Sequence, residues 1–224
     1  MISETTVFVI DDDRESRVSL THILSVNSFK VSDYSTAEQF LEVYDEDRPG
    51  CIVIDMNLPG MSGLDLLHSL NRFDYHDPVI VLSVFADVPM AVSSFENGAM
   101  AFLEKPVDPD ELIRRVHGAI NLDANVRKRL KKRRELEFRH KSLSGREREV
   151  LIYLIAGDST KQIAYRISLS PRTVEIHRRH IMNKMAYDSL VKLATELIDL
   201  RIIELSDHNY VRKHSMSTTQ EHVH

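Results

Sequence analysis

The sequence predicts a doubly wound α/β domain with a five-stranded parallel sheet, followed by an all-α domain of four helices. Three observations predict it. The first half alternates short apolar runs with amphipathic segments. Residues 143–198 carry helical spacing almost throughout. The formal charge also changes sign along the chain. It is about −13 over residues 1–120 and about +8 over residues 121–224, within a total of −5.

The apolar runs come in order at residues 7–10, 30–34, 51–54, 79–84 and 101–103. Four of them are apolar enough for strands covered on both faces, as parallel strands are. Residues 30–34 are mixed and fit a place nearer the sheet edge. Helical patterns separate the runs at 15–26, 36–45, 63–71, 88–97 and 110–121. Five such β-α units assign residues 1–121 to the α/β domain, with right-handed crossovers.

Residues 122–142 hold the densest charge run, Arg127-Lys128-Arg129-Leu130-Lys131-Lys132-Arg133-Arg134, with no Pro or Gly. They read as a helical linker, continuous with the fifth helix or separate from it. A solvated face and a DNA or partner contact both fit it. The helical domain follows over 143–206. Its first helix spans about 145–155 and stops at Gly157-Asp158. A short helix covers 160–167. Ser170-Pro171 starts the third, with Ser as N-cap and Pro in the first turn. The fourth covers 189–200, and its apolar side fits either core or a dimer surface. The polar tail, 207–224, reads as disordered.

Composition narrows the function. A hydrophobic fraction of 42% with 28% charged residues is ordinary for globular domains. Neither a signal peptide nor a membrane-length apolar run is visible, so a cytoplasmic protein is expected. The single cysteine, Cys51, lies in an apolar run and reads as a buried, inert thiol. A basic half joined to an acidic one suggests nucleic acid as a partner of the basic half.

The chemistry sits at strand ends. The first run ends in Asp11-Asp12-Asp13, the third in Asp55, and the fifth in Glu104-Lys105-Pro106. In a parallel sheet these ends share one edge, where ligands bind. Carboxylates gathered there repel one another unless a hard cation such as Mg²⁺ joins them. Lys105 supplies a cation for a phosphoryl oxygen, and Ser83, ending the fourth run, supplies a hydroxyl. These parts fit phosphoryl transfer to a carboxylate. Taken singly, each has a duller reading: an Asp after a strand caps a helix, and Lys-Pro makes a turn.

The segments Val7 to Asp13, Ile54-Asp55-Met56-Asn57-Leu58-Pro59-Gly60-Met61-Ser62-Gly63 and Gly98-Ala99-Met100-Ala101-Phe102-Leu103-Glu104-Lys105-Pro106 resemble the signatures of response-regulator receivers. The resemblance covers nearly all of residues 5–121. It implies Asp55 as phosphoacceptor, with a histidine kinase as donor. It implies Mg²⁺ (or Mn²⁺) bound by Asp12, by Asp11 mainly through water, by Asp55 and by the Asn57 carbonyl. It also implies Lys105 on the phosphoryl group, Ser83 and Phe102 as the switch pair, and a cis Lys105–Pro106 bond. The chain departs from the pattern after the switch hydroxyl, where Val84 and Phe85 replace the family's usual small residue. That bulk narrows the route of water and small phosphodonors to Asp55. Asn57 is polar and could instead orient an attacking water, so the two features act on phosphoryl lifetime in opposite directions.

In the second half, Leu143-Ser144-Gly145-Arg146-Glu147-Arg148-Glu149-Val150-Leu151, Gly157-Asp158-Ser159-Thr160-Lys161-Gln162-Ile163-Ala164 and the stretch from Ser170 to Met185 resemble the helix-turn-helix domain of the NarL/LuxR group. Over both halves the chain is most similar to FixJ-type regulators. Ile163, Ala164, Ile167, Leu169, Val174, Ile181 and Met185 have the spacing of a small helical core. Arg172, Glu175, Arg178 and Arg179 occupy the opposite face of the third helix. By resemblance Glu175, Ile176 and Arg179 are base readers, while Lys161, Arg172, Thr173, Arg178 and Lys184 face phosphates. His177 packs or touches phosphate. Glu175 has an equal alternative, an intrahelical pair with Arg178 or Arg179.

A phosphorylation-controlled regulator of transcription is therefore expected, not an enzyme. It would bind promoter DNA as a homodimer on activation, with RNA polymerase as a further partner if it activates, and with no membrane partner. A phosphohydrolase would place a second acid two residues after the nucleophile, where this chain has Asn57. A phosphate-independent receiver is disfavoured by the complete set Asp11, Asp12, Asp55, Ser83 and Lys105. A protein-binding helical domain is disfavoured by the Arg-rich helix.

Overall fold

Five parallel strands form one sheet in the order β2-β1-β3-β4-β5: β1 (Thr6–Ile10), β2 (Lys30–Tyr34), β3 (Gly50–Asp55), β4 (Val79–Ser83) and β5 (Ala99–Glu104). The structure is a computed structural model that describes residues 5–73, 75–85 and 87–203. The expected tail, 207–224, lies outside them.

The strand sequences explain the layers. Successive side chains point to opposite faces, so a strand buried on both sides is apolar at every position. β1, β3 and β4 are buried along their whole length. Phe8, Ile10, Ile52, Ile54, Val79 and Val81 pack on one face with Phe40, Leu66, Leu67 and Leu70. Those four belong to α2 (Ala37–Val43) and α3 (Gly63–Leu70). Val7, Val9, Cys51, Val53, Ile80 and Leu82 pack on the other face with Leu20, Leu24, Leu112 and Val116. These come from α1 (Arg14–Val26) and α5 (Pro109–Lys141). β2, with its mixed sequence, is an edge strand as its composition suggested. α4 (Val88–Glu96) starts at Asp87, which accepts from the Met90 amide at 2.7 Å.

The helical linker is continuous with the fifth helix, one of the two readings left open by the sequence. α5 runs unbroken from Pro109 to Lys141, and the chain divides into two compact units between Lys128 and Arg129. Side-chain partners explain the division. In the first unit Arg127 donates to Asp123 (2.7 Å), to Asp77 (2.6 Å), and to the carbonyls of Glu46 (2.6 Å) and Arg48 (3.1 Å). Asp77 and Asp123 are buried. Burial pushes the Asp77 carboxyl up to about 7, against the pull of Arg127. In the second unit Arg129 donates to the Asp199 carbonyl at 3.0 Å, Lys132 to Glu196 at 2.6 Å, and Arg139 to the Met185 carbonyl at 2.8 Å. Leu136 is buried in that unit's core. Much of the charge run is thus engaged within its own unit rather than only solvated.

The second unit continues with α6 (Gly145–Ile155), α7 (Thr160–Arg166), α8 (Pro171–Met185) and α9 (Leu190–Asp199). Each begins at a serine whose hydroxyl accepts a backbone N–H: Ser144, Ser159, Ser170 and Ser189. Ser144 with Glu147, and Ser159 with Gln162, form capping boxes. Gly157 (φ 84°) ends α6, where a side chain would be strained. The anticipated core residues Ile163, Ala164, Ile167, Val174, Ile181 and Met185 are buried, with Leu169 packed against them. Leu193 and Leu197 of α9 join them, so the apolar stripe of this helix is core.

Two predictions follow from these buried charges. Arg127→Ala leaves two buried carboxylates without their cation and should destabilise the first unit by about 3–5 kcal/mol, read by urea unfolding of the full chain. Glu147 is buried against Lys184 (2.6 Å) and the Ser144 amide (2.7 Å). Burial alone would raise its carboxyl, but those hydrogen bonds outweigh it and hold the group at about 2. A depressed carboxyl contributes stability above its unfolded value of 4.5, and that contribution is lost as pH falls towards 2. Lys184 is partly exposed, so Glu147→Gln should cost about 1–2 kcal/mol at neutral pH and abolish this acid-side loss. Hydrogen exchange at the Val150 and Tyr153 amides reads the second unit alone.

Candidate phosphoacceptor site and DNA-facing helix

The sheet order brings three carboxyl groups together. Asp11 follows β1, Asp55 ends β3, and the two strands are direct neighbours. Oxygen atoms of Asp11, Asp12 and Asp55 lie within 4.8 Å of one another. Asp11 and Asp55 are buried, while Asp12 is exposed. β5 delivers Lys105 to the same edge, because its amide pairs with the Ser83 carbonyl at 2.8 Å. The Lys105 ammonium reaches Asp11 Oδ2 at 2.8 Å and also bonds Asp55. Burial alone would lower the Lys105 pKa, but its bonds to the two aspartates outweigh this and raise it. It stays a cation throughout the physiological range.

Backbone geometry fixes Asp55. The Asn57 amide donates to Asp55 Oδ1 at 2.9 Å. Gly63 begins α3 hard against this loop, and a Cβ there would lie 2.6 Å from the Asp55 carbonyl oxygen and 2.9 Å from Met56 Cα. Only glycine lets α3 start so close to Asp55. The Lys105–Pro106 bond is cis, as the resemblance implied.

Two supporting residues were not singled out from the sequence. Ser16 donates to Asp11 Oδ2 at 2.6 Å, and Arg17 donates to the Asp11 carbonyl at 2.7 Å. Asp13 has the duller role: it caps α1, accepting from the Glu15 and Ser16 amides. An Asp preceding a helix by one residue signals that cap, but nothing local tells which of three aspartates takes it.

The Ser83 hydroxyl is turned into the loop after β4. It donates to the Phe85 carbonyl at 3.0 Å, accepts from the Phe85 amide at 3.2 Å, and lies 3.4 Å from Met90 Sδ. Phe102 is partly buried against the core on the α3 side. Val84 and Phe85 are exposed beside Ser83.

In the second unit, α7 and α8 make a helix-turn-helix. Arg172, Glu175, Ile176, Arg178 and Arg179 are exposed on α8, and Lys161 is exposed on α7. Thr173 shares a 2.8 Å hydrogen bond with Ser170 at the α8 cap. His177 is half-buried, and its Nδ1 is enclosed. Lys184 is committed to Glu147. Glu175 accepts from the Thr160 hydroxyl at 2.6 Å and makes no ion pair with Arg178 or Arg179 among the described residues.

Three carboxylates of hard oxygen suit a divalent cation such as Mg²⁺, and their clustering fits one. Among the described residues, no helix is long and apolar enough to cross a membrane.

Comparison with known proteins agrees with both halves. Residues 7–117 match the response regulator receiver domain, and residues 141–197 match the bacterial regulatory proteins of the luxR family. Transcriptional regulatory protein FixJ of Azorhizobium caulinodans is 41% identical over 84% of this chain and 89% of its own. FixJ of Rhizobium meliloti is 37% identical over 86% and 94%. Among solved structures, the response regulator StyR aligns with a TM-score of 0.80 at 35% identity, covering 88% of this chain and 99% of its own. Full-length FixJ from B. japonicum aligns with a TM-score of 0.54 at 34% identity, covering 90% and 100%. With an acidic pocket closed by a lysine in one unit and an arginine-lined helix-turn-helix in the other, the chain belongs to the FixJ-type two-component response regulators, transcriptional regulators that join a receiver to a luxR-type DNA-binding domain.

Proposed function

We propose that this chain accepts a phosphoryl group on Asp55 from the phosphohistidine of a sensor histidine kinase and then binds promoter DNA as a homodimer. The observation that carries this is the cluster of Asp11, Asp12 and Asp55 with Lys105 bonded to two of them. An Asp55 carboxylate oxygen attacks phosphorus, the P–N bond to the kinase imidazole breaks, and the imidazole leaves with that electron pair. Asp12, Asp55, the Asn57 carbonyl and, through water, Asp11 would hold Mg²⁺ (or Mn²⁺). Such an ion supplies charge neutralisation for the transferred group. Lys105 neutralises a phosphoryl oxygen directly. The receiver itself would run the switch without being an enzyme for an outside substrate.

The phosphoryl group on Asp55 carries about −1.5 to −2, in place of the −1 of the free carboxylate. It offers Ser83 an ionic acceptor in place of the neutral Phe85 carbonyl, and a charge-assisted bond is the stronger one. As Ser83 exchanges partners, Phe102 turns into the space released. This is a shift between two existing states. In the second unit, Glu175, Ile176 and Arg179 would read bases from the major groove. Lys161, Arg172, Thr173 and Arg178 would contact phosphates, and His177 would pack or touch one. Lys184, tied to Glu147, is left only a secondary part. Two half-sites on a dimer double the DNA interface. RNA polymerase is a further partner where the regulator activates.

Beryllofluoride with Mg²⁺ should dimerise the wild-type chain and tighten promoter DNA binding by about 5- to 150-fold, a usual allosteric coupling. Asp55→Asn should respond in neither respect. Sedimentation and fluorescence anisotropy read the two effects; equal DNA binding by both proteins with and without the mimic would rule out the phosphorylation switch. Val84→Ala, which opens the approach beside Ser83, should speed phosphorylation by acetyl phosphate. An unchanged or slower rate would sink that gating role.

A further inference from the structure

Glu175 has an unusual commitment for a helix residue with arginines three and four positions onward. That spacing ordinarily gives an ion pair. Here the carboxylate instead accepts from the Thr160 hydroxyl, across from α8 to the first residue of α7, at 2.6 Å. We propose that Thr160 is a positioning residue for base readout: its hydroxyl orients the Glu175 carboxylate and keeps it off Arg179. The proposal rests on the reading of α8 as the base-contacting helix.

Three physical points support it. First, the location of the hydroxyl is set by core packing. Ile163, Ala164 and Ile167 of the α7 segment and Val174 of α8 are buried together, so Thr160 is held against α8 by contacts that do not involve the surface. The neighbouring cap is satisfied without Thr160, because Ser159 and Gln162 bond each other. Second, a carboxylate on a surface facing phosphates is repelled by them. It is useful there only where it accepts a hydrogen bond from a base, and in the major groove cytosine N4 is the matching donor. The bond to Thr160 engages Oε1, and Oε2 keeps its own lone pairs for such a donor. Third, a Glu175 released from Thr160 would pair with Arg178 or Arg179. That pairing would withdraw the acceptor for cytosine and also the fork with which Arg179 fits guanine O6 and N7. One hydroxyl therefore sustains two readouts, although it touches neither base.

The test uses the full chain with beryllofluoride and Mg²⁺. Base preferences are measured on a randomised duplex library, and affinity is measured against salt. Wild type should prefer one base pair at the position facing Glu175, and Glu175→Ala should flatten that preference. Thr160→Val, equal in shape but without the donor, should narrow it by about fivefold, within the range that one base contact supplies. The slope of log affinity against log salt should not change, because no phosphate contact is lost. Thr160→Ser should restore the wild-type profile. If Glu175→Ala flattens the preference and Thr160→Val does not, the positioning role is overturned while base reading by Glu175 stands. If Glu175→Ala changes nothing, both readings fall. A uniform loss over all sequences with a shallower salt slope in Thr160→Val would make Thr160 a phosphate contact instead, and would also overturn the proposal.

Discussion

The receiver half depends on how negative charge is managed at one edge of the sheet. Asp11 and Asp55 are buried side by side because β1 and β3 are neighbours. Two buried carboxylates without a cation would be strongly unfavourable. The Lys105 ammonium bonds both, and it comes from β5, at the far edge of the sheet. Strand order, the β4–β5 register and the Lys105 amide bond to Ser83 all serve to bring that one cation to the pair. Ser83 lies at the same edge with its hydroxyl engaged by a neutral carbonyl. A new anion at Asp55 would therefore change the balance for Lys105 and Ser83 together.

The same device recurs away from the pocket. Arg127 bonds two buried aspartates and two loop carbonyls and so attaches the extended part of α5 to the first unit. Lys184 serves Glu147 in the second unit. For Asp77 and Glu147 a carboxylate taken out of water is matched by a cation far away in sequence, while Asp123 meets Arg127 one helical turn along α5. Removing the cation is costlier than forming the pair is stabilising, since the stranded charge remains buried.

Much of the site could be read from the sequence because its residues sit at the ends of apolar runs. A strand shows itself by β-branched and apolar residues, and in a parallel sheet its end is a fixed place. Asp11, Asp55, Ser83 and Lys105 were thus placeable on one edge. The start of α8 was legible for a local reason too: Ser170 caps it through a bond that spans three residues. Ser144 and Ser159 cap in the same way but were not singled out from the sequence. The capping role of Asp13 beside Asp11 and Asp12 was not legible. Three adjacent carboxylates look alike until backbone direction separates them. Ser16 and Arg17 were missed because a helix-face Ser or Arg has no local mark of aiming at a strand end.

The sequence by itself determined the two halves, the strand and helix types, the gathering of acidic residues at strand ends and the basic helix, since periodicity, caps and strand ends act over a few residues. Only the tertiary structure decided the partners of long-range charges. It joined the linker to α5 and divided it between two units at Lys128, because Arg127 and Leu136 each find buried surroundings in a different unit. It turned the α9 stripe into core. It also gave the Glu175 carboxylate a partner that neither local spacing nor the resemblance pointed to, the Thr160 hydroxyl. The fold brings a hydroxyl from fifteen residues earlier within 2.6 Å, and that distance is set by helix packing, which no local pattern encodes.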